Sequence, residues 1–252
     1  MRESVDVAGQ RHRVRSHVPA GARASALLLH GANTHAGVFA DVLDASPPEL
    51  ALHAVDFPGR GLAEALQLET IAARVAFACA VIAELGLARP IVVGHSLGGA
   101  VALELAAQAP ELVGGLVLCS AGTQFAVPTA QLAELQQLAA AGARRTPAAA
   151  SFSPQTGPDV LAAAAAIYAA VPAGTALVDY RCLVDWNGDA ASRAVTARTV
   201  IIRGSDEYVL LRAQCDALVD RMRATSIVVP AAGHLLPLEQ PYALAAAIAS
   251  LA

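Results

Sequence analysis

Short apolar runs recur along the chain: 26–29, 52–55 (interrupted by His53), 91–93, 116–118, 200–202 and 227–229. A strand with one wet face alternates apolar and polar residues, whereas a run without polar positions suits a strand covered on both faces, as in a parallel sheet. Between these runs the apolar residues take helical spacing, predicting helices over Thr70–Leu85, Leu97–Gln108, Leu211–Met222 and Pro241–Leu251. Near the N-terminus, Val5–Val7 and His12–Val14 read as a hairpin turned at Gly9. This alternation predicts an α/β fold with a doubly wound, mostly parallel sheet.

One interval breaks the rhythm. From Gly122 to about Asp189 there is no strand-like run, only alanine-rich helical patches at Ala130–Ala141 and Asp159–Ala170, punctuated by Pro128, Pro147, Pro154, Pro158 and Pro172. So long an insertion between two strands reads as a helical lid over the C-terminal edge of the sheet. The expected organisation is a core of residues 1–121 and 190–252, with the lid at 122–189.

Composition narrows the classes. The chain has 252 residues, 56% hydrophobic and 15% charged, which is too apolar for disorder. The run Leu161–Val171 stops at Pro172, well short of the ~20 residues of a membrane helix. Seventeen Lys+Arg against twenty-one Asp+Glu give a net charge of −4. Arg11, Arg13 and Arg15 alternate along a strand and read as one solvated face, so nucleic acid is not an expected partner. Cys79, Cys119, Cys182 and Cys215 are scattered without a C-x-x-C and read as core thiols rather than metal or redox sites. No apolar signal region follows Met1, and a soluble cytoplasmic protein is the expectation.

The chemistry is concentrated in Ile91-Val92-Val93-Gly94-His95-Ser96-Leu97-Gly98-Gly99-Ala100. This is G-x-S-x-G, placed between an all-apolar strand and a helix, the context that motif requires. A serine at so sharp a turn needs neighbours without side chains, and its oxygen then stands at a helix N-terminus that favours developing negative charge.

With that segment the sequence resembles the α/β-hydrolase superfamily, along essentially its whole length. Leu28-Leu29-His30-Gly31-Ala32-Asn33 matches the family's strand ending in His-Gly. The resemblance implies an oxyanion hole from the N–H groups of Ala32 and Leu97, with His30 anchoring its loop and Phe39 lining the pocket. Val55-Asp56-Phe57-Pro58-Gly59-Arg60-Gly61 matches D-x-P-G-x-G, where the aspartate orders a turn and is not the triad acid. Gly233-His234, followed by Leu235-Leu236-Pro237-Leu238-Glu239, is how the family presents its general base. Imidazole suits the role, since its ordinary pKa of ~6.5 lets it take and return a proton near neutrality. His12, His17, His35 and His53 read as surface or loop residues, and His95 as packing beside the nucleophile.

The acid has two candidates. In Arg203-Gly204-Ser205-Asp206-Glu207-Tyr208, ungapped spacing from Gly204 selects Glu207, while residue type favours Asp206. Both stay open. The order Ser96, acid, His234 is the one used on this fold.

The resemblance implies a cofactor-free, metal-free serine hydrolase. Its expected substrate is a small or medium apolar carboxylic ester, lactone or thioester, because the lid is rich in Ala, Leu and Val. Acyl transfer, perhydrolysis or C–C bond cleavage on the same residues is the alternative, and a non-catalytic ligand-binding receptor of this fold a further one. Serine at residue 96 disfavours the relatives that need aspartate there, the haloalkane dehalogenases and epoxide hydrolases. A monomer or homodimer is expected.

Overall fold

The computed structural model describes residues 3–63 and 66–252. Met1 and Arg2, where the N-terminal stretch inspected for a signal begins, lie outside the described residues. Eight strands form one sheet: β1 (Ser4–Val7), β2 (Gln10–His17), β3 (Ala24–Leu29), β4 (Leu50–Val55), β5 (Ile91–His95), β6 (Gly115–Cys119), β7 (Thr199–Gly204) and β8 (Thr225–Val229). Their order is β1-β2-β4-β3-β5-β6-β7-β8. β1 pairs antiparallel with β2, and β2 with β4, while every pairing from β4 to β8 is parallel. The sheet is thus mostly parallel, and the N-terminal hairpin forms its antiparallel edge.

The all-apolar runs lie where double-sided burial demands them. Ala26–Leu29, Val92–Val93 and Leu116–Cys119 are completely buried. Leu27, Leu29, Val92, Leu116 and Leu118 face one apolar cluster, and Ala26, Leu28, Ile91, Val93 and Val117 face another. One run departs from this expectation. β8 is the edge of the sheet, and Val228 on it is 48% exposed, because nothing continues the sheet beyond it. An apolar run alone does not distinguish a central strand from an edge.

Around the sheet lie α1 (Ala40–Asp44), α2 (Ile71–Leu85), α3 (Leu97–Gln108), α8 (Val209–Met222), α9 (Leu236–Glu239) and α10 (Pro241–Ala249). Helix α2 begins where Thr70 accepts from the Ala73 N–H, and ends at Gly86, whose φ of 64° is the left-handed stop expected of glycine. Between β6 and β7 the described chain contains only helices: α4 (Thr129–Ala140), α5 (Pro158–Ala169), α6 (Ala173–Val184) and α7 (Asp189–Ala194). The two alanine-rich patches are α4 and α5. Helices α6 and α7 were not expected, since α6 carries Asp179 and Arg181 inside its apolar spacing. Among the described residues no single helix is long and apolar enough to cross a membrane; α5 and α6 meet that test only as a pair bent by 94°.

One histidine corrects its sequence expectation. His12 is 1% exposed and meets the Phe77 ring edge-on at 4.8 Å, so it is not a surface histidine. It alternates with the arginines of β2 and therefore faces inward, where Arg11 and Arg13 face water. The four cysteines are free; Cys119, Cys182 and Cys215 are buried and Cys79 is half-buried.

Candidate active site

Ser96 sits between the last residue of β5 and the first of α3, with φ 52° and ψ −116°. A side chain in that left-handed region is strained, and the surroundings enforce it. The Ser96 N–H donates to the Cys119 carbonyl at 3.0 Å, and the Ser96 carbonyl accepts from Gly99 N–H at 2.8 Å, opening α3. The turn is so tight that a methyl group at Gly94 would meet the backbone of Gly98, and one at Gly98 the carbonyl of Leu29. The G-x-S-x-G glycines are thus dictated by backbone on both sides.

His234 comes from the loop after β8. Its Nε2 accepts from the Ser96 hydroxyl at 3.1 Å, and its Nδ1–H donates to Glu207 Oε1 at 3.0 Å. The same Glu207 oxygen accepts from the Tyr208 N–H at 2.9 Å. Of the two carboxylates left open by the sequence, Glu207 is therefore the one the fold brings to His234. Asp206 turns away and accepts from the Ser153 hydroxyl at 2.6 Å. On the turn between β7 and α8 the two neighbouring carboxylates point to different partners.

The electrostatics agree with this division. Burial alone would raise the Glu207 carboxyl. The His234 imidazole beside it, by charge and hydrogen bond, prevails with help from Ser120 and the Tyr208 N–H, and brings the pKa down to about 2. Glu207 is 2% exposed and ionised at neutral pH. His95 moves in the neutral direction: burial first, then the neighbouring His234, lower it to about 3. A neutral His95 donates from Nε2 to the His234 carbonyl at 2.8 Å and so holds the loop, not the reacting atoms.

The His30–Ala32 loop is fixed from several sides. His30 Nδ1–H donates to the Gly31 carbonyl, and Nε2 accepts from the Phe57 N–H at 3.0 Å. Asp56 Oδ1 accepts from the Ala36 N–H at 2.7 Å, which ties this loop to the one after β4. Asn33, with φ 56°, donates its N–H to Asp179 Oδ2 at 2.9 Å. Among the described residues neither the Ala32 nor the Leu97 N–H is spent on a protein acceptor. Phe39, expected to line the pocket, is instead completely buried in the apolar cluster that also holds Leu28 and Leu52, and takes no part in the cavity wall.

Ser96 and His234 open into a cavity of about 940 Å³. Its wall combines Ala32 and Leu235 from the sheet end, Phe125 and Val127 from the segment after β6, Tyr168 of α5, Tyr180 and Leu183 of α6, and Tyr208, Leu211 and Gln214 at α8. Arg145 also reaches it. The Tyr208 ring lies 5.1 Å from that of His234, and its hydroxyl meets Ser151 at 2.6 Å. Ser151 in turn accepts the His234 and Leu235 N–H groups on its carbonyl, so the segment between α4 and α5 is stitched to the histidine loop.

Tyr208, Asp179 and Arg145 are not among the site residues expected from the sequence. Asp179 is completely buried in α6 and ion-paired with Arg60 and with Arg74, the latter at 2.9 Å. An isolated acid inside Ala176-Leu177-Val178-Asp179 was a signal for it, since a charge on an apolar helix face needs a partner. Nothing local marks Arg145 or Tyr208.

A parallel sheet with a strained serine at the end of β5 and a histidine in the loop after β8 defines a hydrolase of the doubly wound type. The alpha/beta hydrolase family model matches residues 26–247, and the chain belongs to that family. Over 99 residues it is 39% identical to a pimeloyl-[acyl-carrier protein] methyl ester esterase of Nitrosomonas europaea, a match covering 39% of this chain and 38% of that protein. The corresponding esterase of Yersinia pestis is 34% identical over 102 residues, again 39% of this chain and 37% of the relative. The curated relatives are thus matched over less than two-fifths of their length. Among solved structures, an enol-lactonase from Burkholderia xenovorans LB400 superposes with a TM-score of 0.84 at 17% identity, covering 98% of both chains. A thermophilic esterase from Thermogutta terrifontis gives 0.82 at 19% identity, covering 99% of this chain and 97% of its own. These two likenesses establish the fold.

Proposed function

We propose that the protein is a serine hydrolase that cleaves a carboxylic ester, lactone or thioester through an acyl-enzyme on Ser96. The observation that carries this reading is the hydrogen-bonded line Ser96–His234–Glu207, at 3.1 Å and 3.0 Å, opening into a cavity of about 940 Å³. The esterase names of the partly matched relatives support it.

His234 takes the Ser96 proton as the hydroxyl oxygen attacks the acyl carbon. Glu207 accepts the Nδ1–H, which leaves Nε2 free as base, and its charge stabilises the imidazolium. The N–H groups of Ala32 and Leu97 receive the carbonyl oxygen as it becomes an oxyanion. The imidazolium then protonates the leaving alkoxide or thiolate. In the second half His234 deprotonates a water that attacks the acyl-enzyme, and Ser96 departs with its proton restored. The helices of residues 122–189 act as a lid whose apolar and aromatic side chains exclude bulk water.

The test is labelling with a fluorophosphonate together with a p-nitrophenyl ester series, on wild type and Ser96→Ala. Stoichiometric labelling and a fall in kcat by roughly 10⁴-fold or more in the variant are expected. Absence of labelling, or turnover independent of Ser96, overturns the reading.

A further inference from the structure

We propose that Arg145 is an anion subsite within the cavity, and that the acyl substrate carries a carboxylate remote from the bond that is cleaved. The proposal rests on Ser96 being the nucleophile and deepens that reading: the substrates would be half-esters, thioesters or acid-bearing lactones of dicarboxylic acids, not purely apolar acyl groups.

Arg145 stands in the chain between α4 and α5 and lines the same cavity as Ser96 and His234. Its side chain is only 14% exposed, yet its charge is poorly matched. The carboxylate in ion-pair range is Glu134, 3.6 Å from Nε on a side chain that is 52% exposed. That separation is beyond a hydrogen bond, and Nε is buried without an acceptor. Among the described residues the acceptor that the guanidinium does reach is the Tyr180 hydroxyl, 3.2 Å from Nη1. The Tyr180 ring also lies under the guanidinium, 5.5 Å from centroid to Cζ.

A guanidinium carries five N–H donors in a planar fork, and withdrawing it from water with so few acceptors is unfavourable. A ligand carboxylate would fill that deficit with two parallel bonds. Tyr168 lines the same cavity, is 5% exposed, and has a hydroxyl without a hydrogen-bond partner among the described residues. It supplies a further donor for the same anion. The other ionised groups on the wall, Arg221 and Asp189, are already paired with each other at 2.5 Å. The Arg145 charge is therefore the one that a ligand can complete.

The experiment compares p-nitrophenyl monoesters of straight-chain dicarboxylic acids, succinate to suberate, with p-nitrophenyl alkanoates of matched length. The wild type is expected to favour the acidic member, at its best length, by roughly 10- to 100-fold in kcat/KM, chiefly through KM. Arg145→Gln is expected to bring that ratio close to one, and Arg145→Lys to restore it only in part, because an ammonium lacks the fork. Glu134→Gln, which removes the competing carboxylate, should raise the ratio and keeps the test available if Arg145→Gln does not fold. A wild-type ratio at or below one at every length, or a ratio that none of these substitutions moves, overturns the proposal. A second arm needs no turnover: calorimetric titration of Ser96→Ala with glutarate, adipate and pimelate should show binding that Ser96→Ala/Arg145→Gln lacks. If no ester is hydrolysed at all, the hydrolase reading fails. Diacid binding abolished by Arg145→Gln would still support the subsite, and no diacid binding to Ser96→Ala would reject it.

Discussion

The sheet end and the inserted helices face each other across one cavity, and they are built on different terms. On the sheet side every participating backbone segment is fixed several times over: Ser96 by Cys119 and Gly99, His30 by Gly31 and Phe57, His234 by Ser151 and His95. On the helix side α4 contributes one fully buried residue, Leu135, which packs with Ala176 and Leu177 of α6. Burial of such a leucine contributes roughly 2–3 kcal/mol, little for a whole helix. The sheet end carries Ser96, Glu207 and His234, and the inserted segment shares the cavity wall about equally with the rest of the chain, chiefly α8. On the proposed function, reaction type follows from the part where sequence motifs are strict, and substrate choice from the part where they are loose.

The sharpest way to break the comparison is at the sheet end. Glu207→Gln removes the charge opposite His234 and should lower kcat by about 10³- to 10⁴-fold. Asp206→Asn, which disturbs only the bond to Ser153, should cost less than about tenfold. Steady-state rates of the two variants on one ester check both, and equal effects would reject Glu207 as the acid.

The next effect lies on the contact between the halves. Asp179→Asn leaves Arg60 and Arg74 buried without their counter-charge, and should destabilise the fold by about 3–5 kcal/mol in urea melts. Glu134→Gln alters an exposed pair and should shift stability by less than about 1 kcal/mol. Similar losses in the two variants would show that the inserted helices are not anchored through Asp179.

A smaller effect follows from pH. His95 is lowered from 6.5 to about 3, so between those values the unfolded chain binds a proton that the folded chain lacks. Glu207, lowered from 4.5 to about 2, does the same at more acid pH. Both shifts make stability fall with falling pH, first from 6.5 downward and more steeply below 4.5. Melting temperatures across that range should show this slope, and His95→Gln should flatten its upper part. A slope unchanged by that substitution would place the effect on other buried histidines.

Much of the first half was legible in the sequence, because local backbone demands write themselves into local residues. Gly94 and Gly98 are required by contacts within a few residues of Ser96 or from the adjacent strand, so a short motif carries them. The strands of the sheet centre were visible for the same reason, whereas Val228 looked like one of them and lies on an edge. The direction in which Asp206 and Glu207 point depends on how one loop meets another, and no spacing records that. Arg145, Tyr208 and Phe39 depend on longer-range packing still. The apolar character of the inserted helices was correctly seen, but two of their few charges, Asp179 and Arg145, are turned inward, where a composition average hides them.

Asp179 has a consequence for how the inserted helices can move. It belongs to α6, yet its carboxylate holds the Asn33 N–H and the Arg60 and Arg74 guanidinium groups of the core. Swinging α6 outward would strand two cations and loosen the peptide next to Ala32 in the same movement. Helix α4 rests on α6 through Leu135 and is joined to Arg145 by the thin pair with Glu134, whereas the chain leading to α5 is bonded to the core through Ser151, Ser153 and Thr156. Of the inserted helices, α4 can therefore shift with the least disturbance to the residues around Ser96.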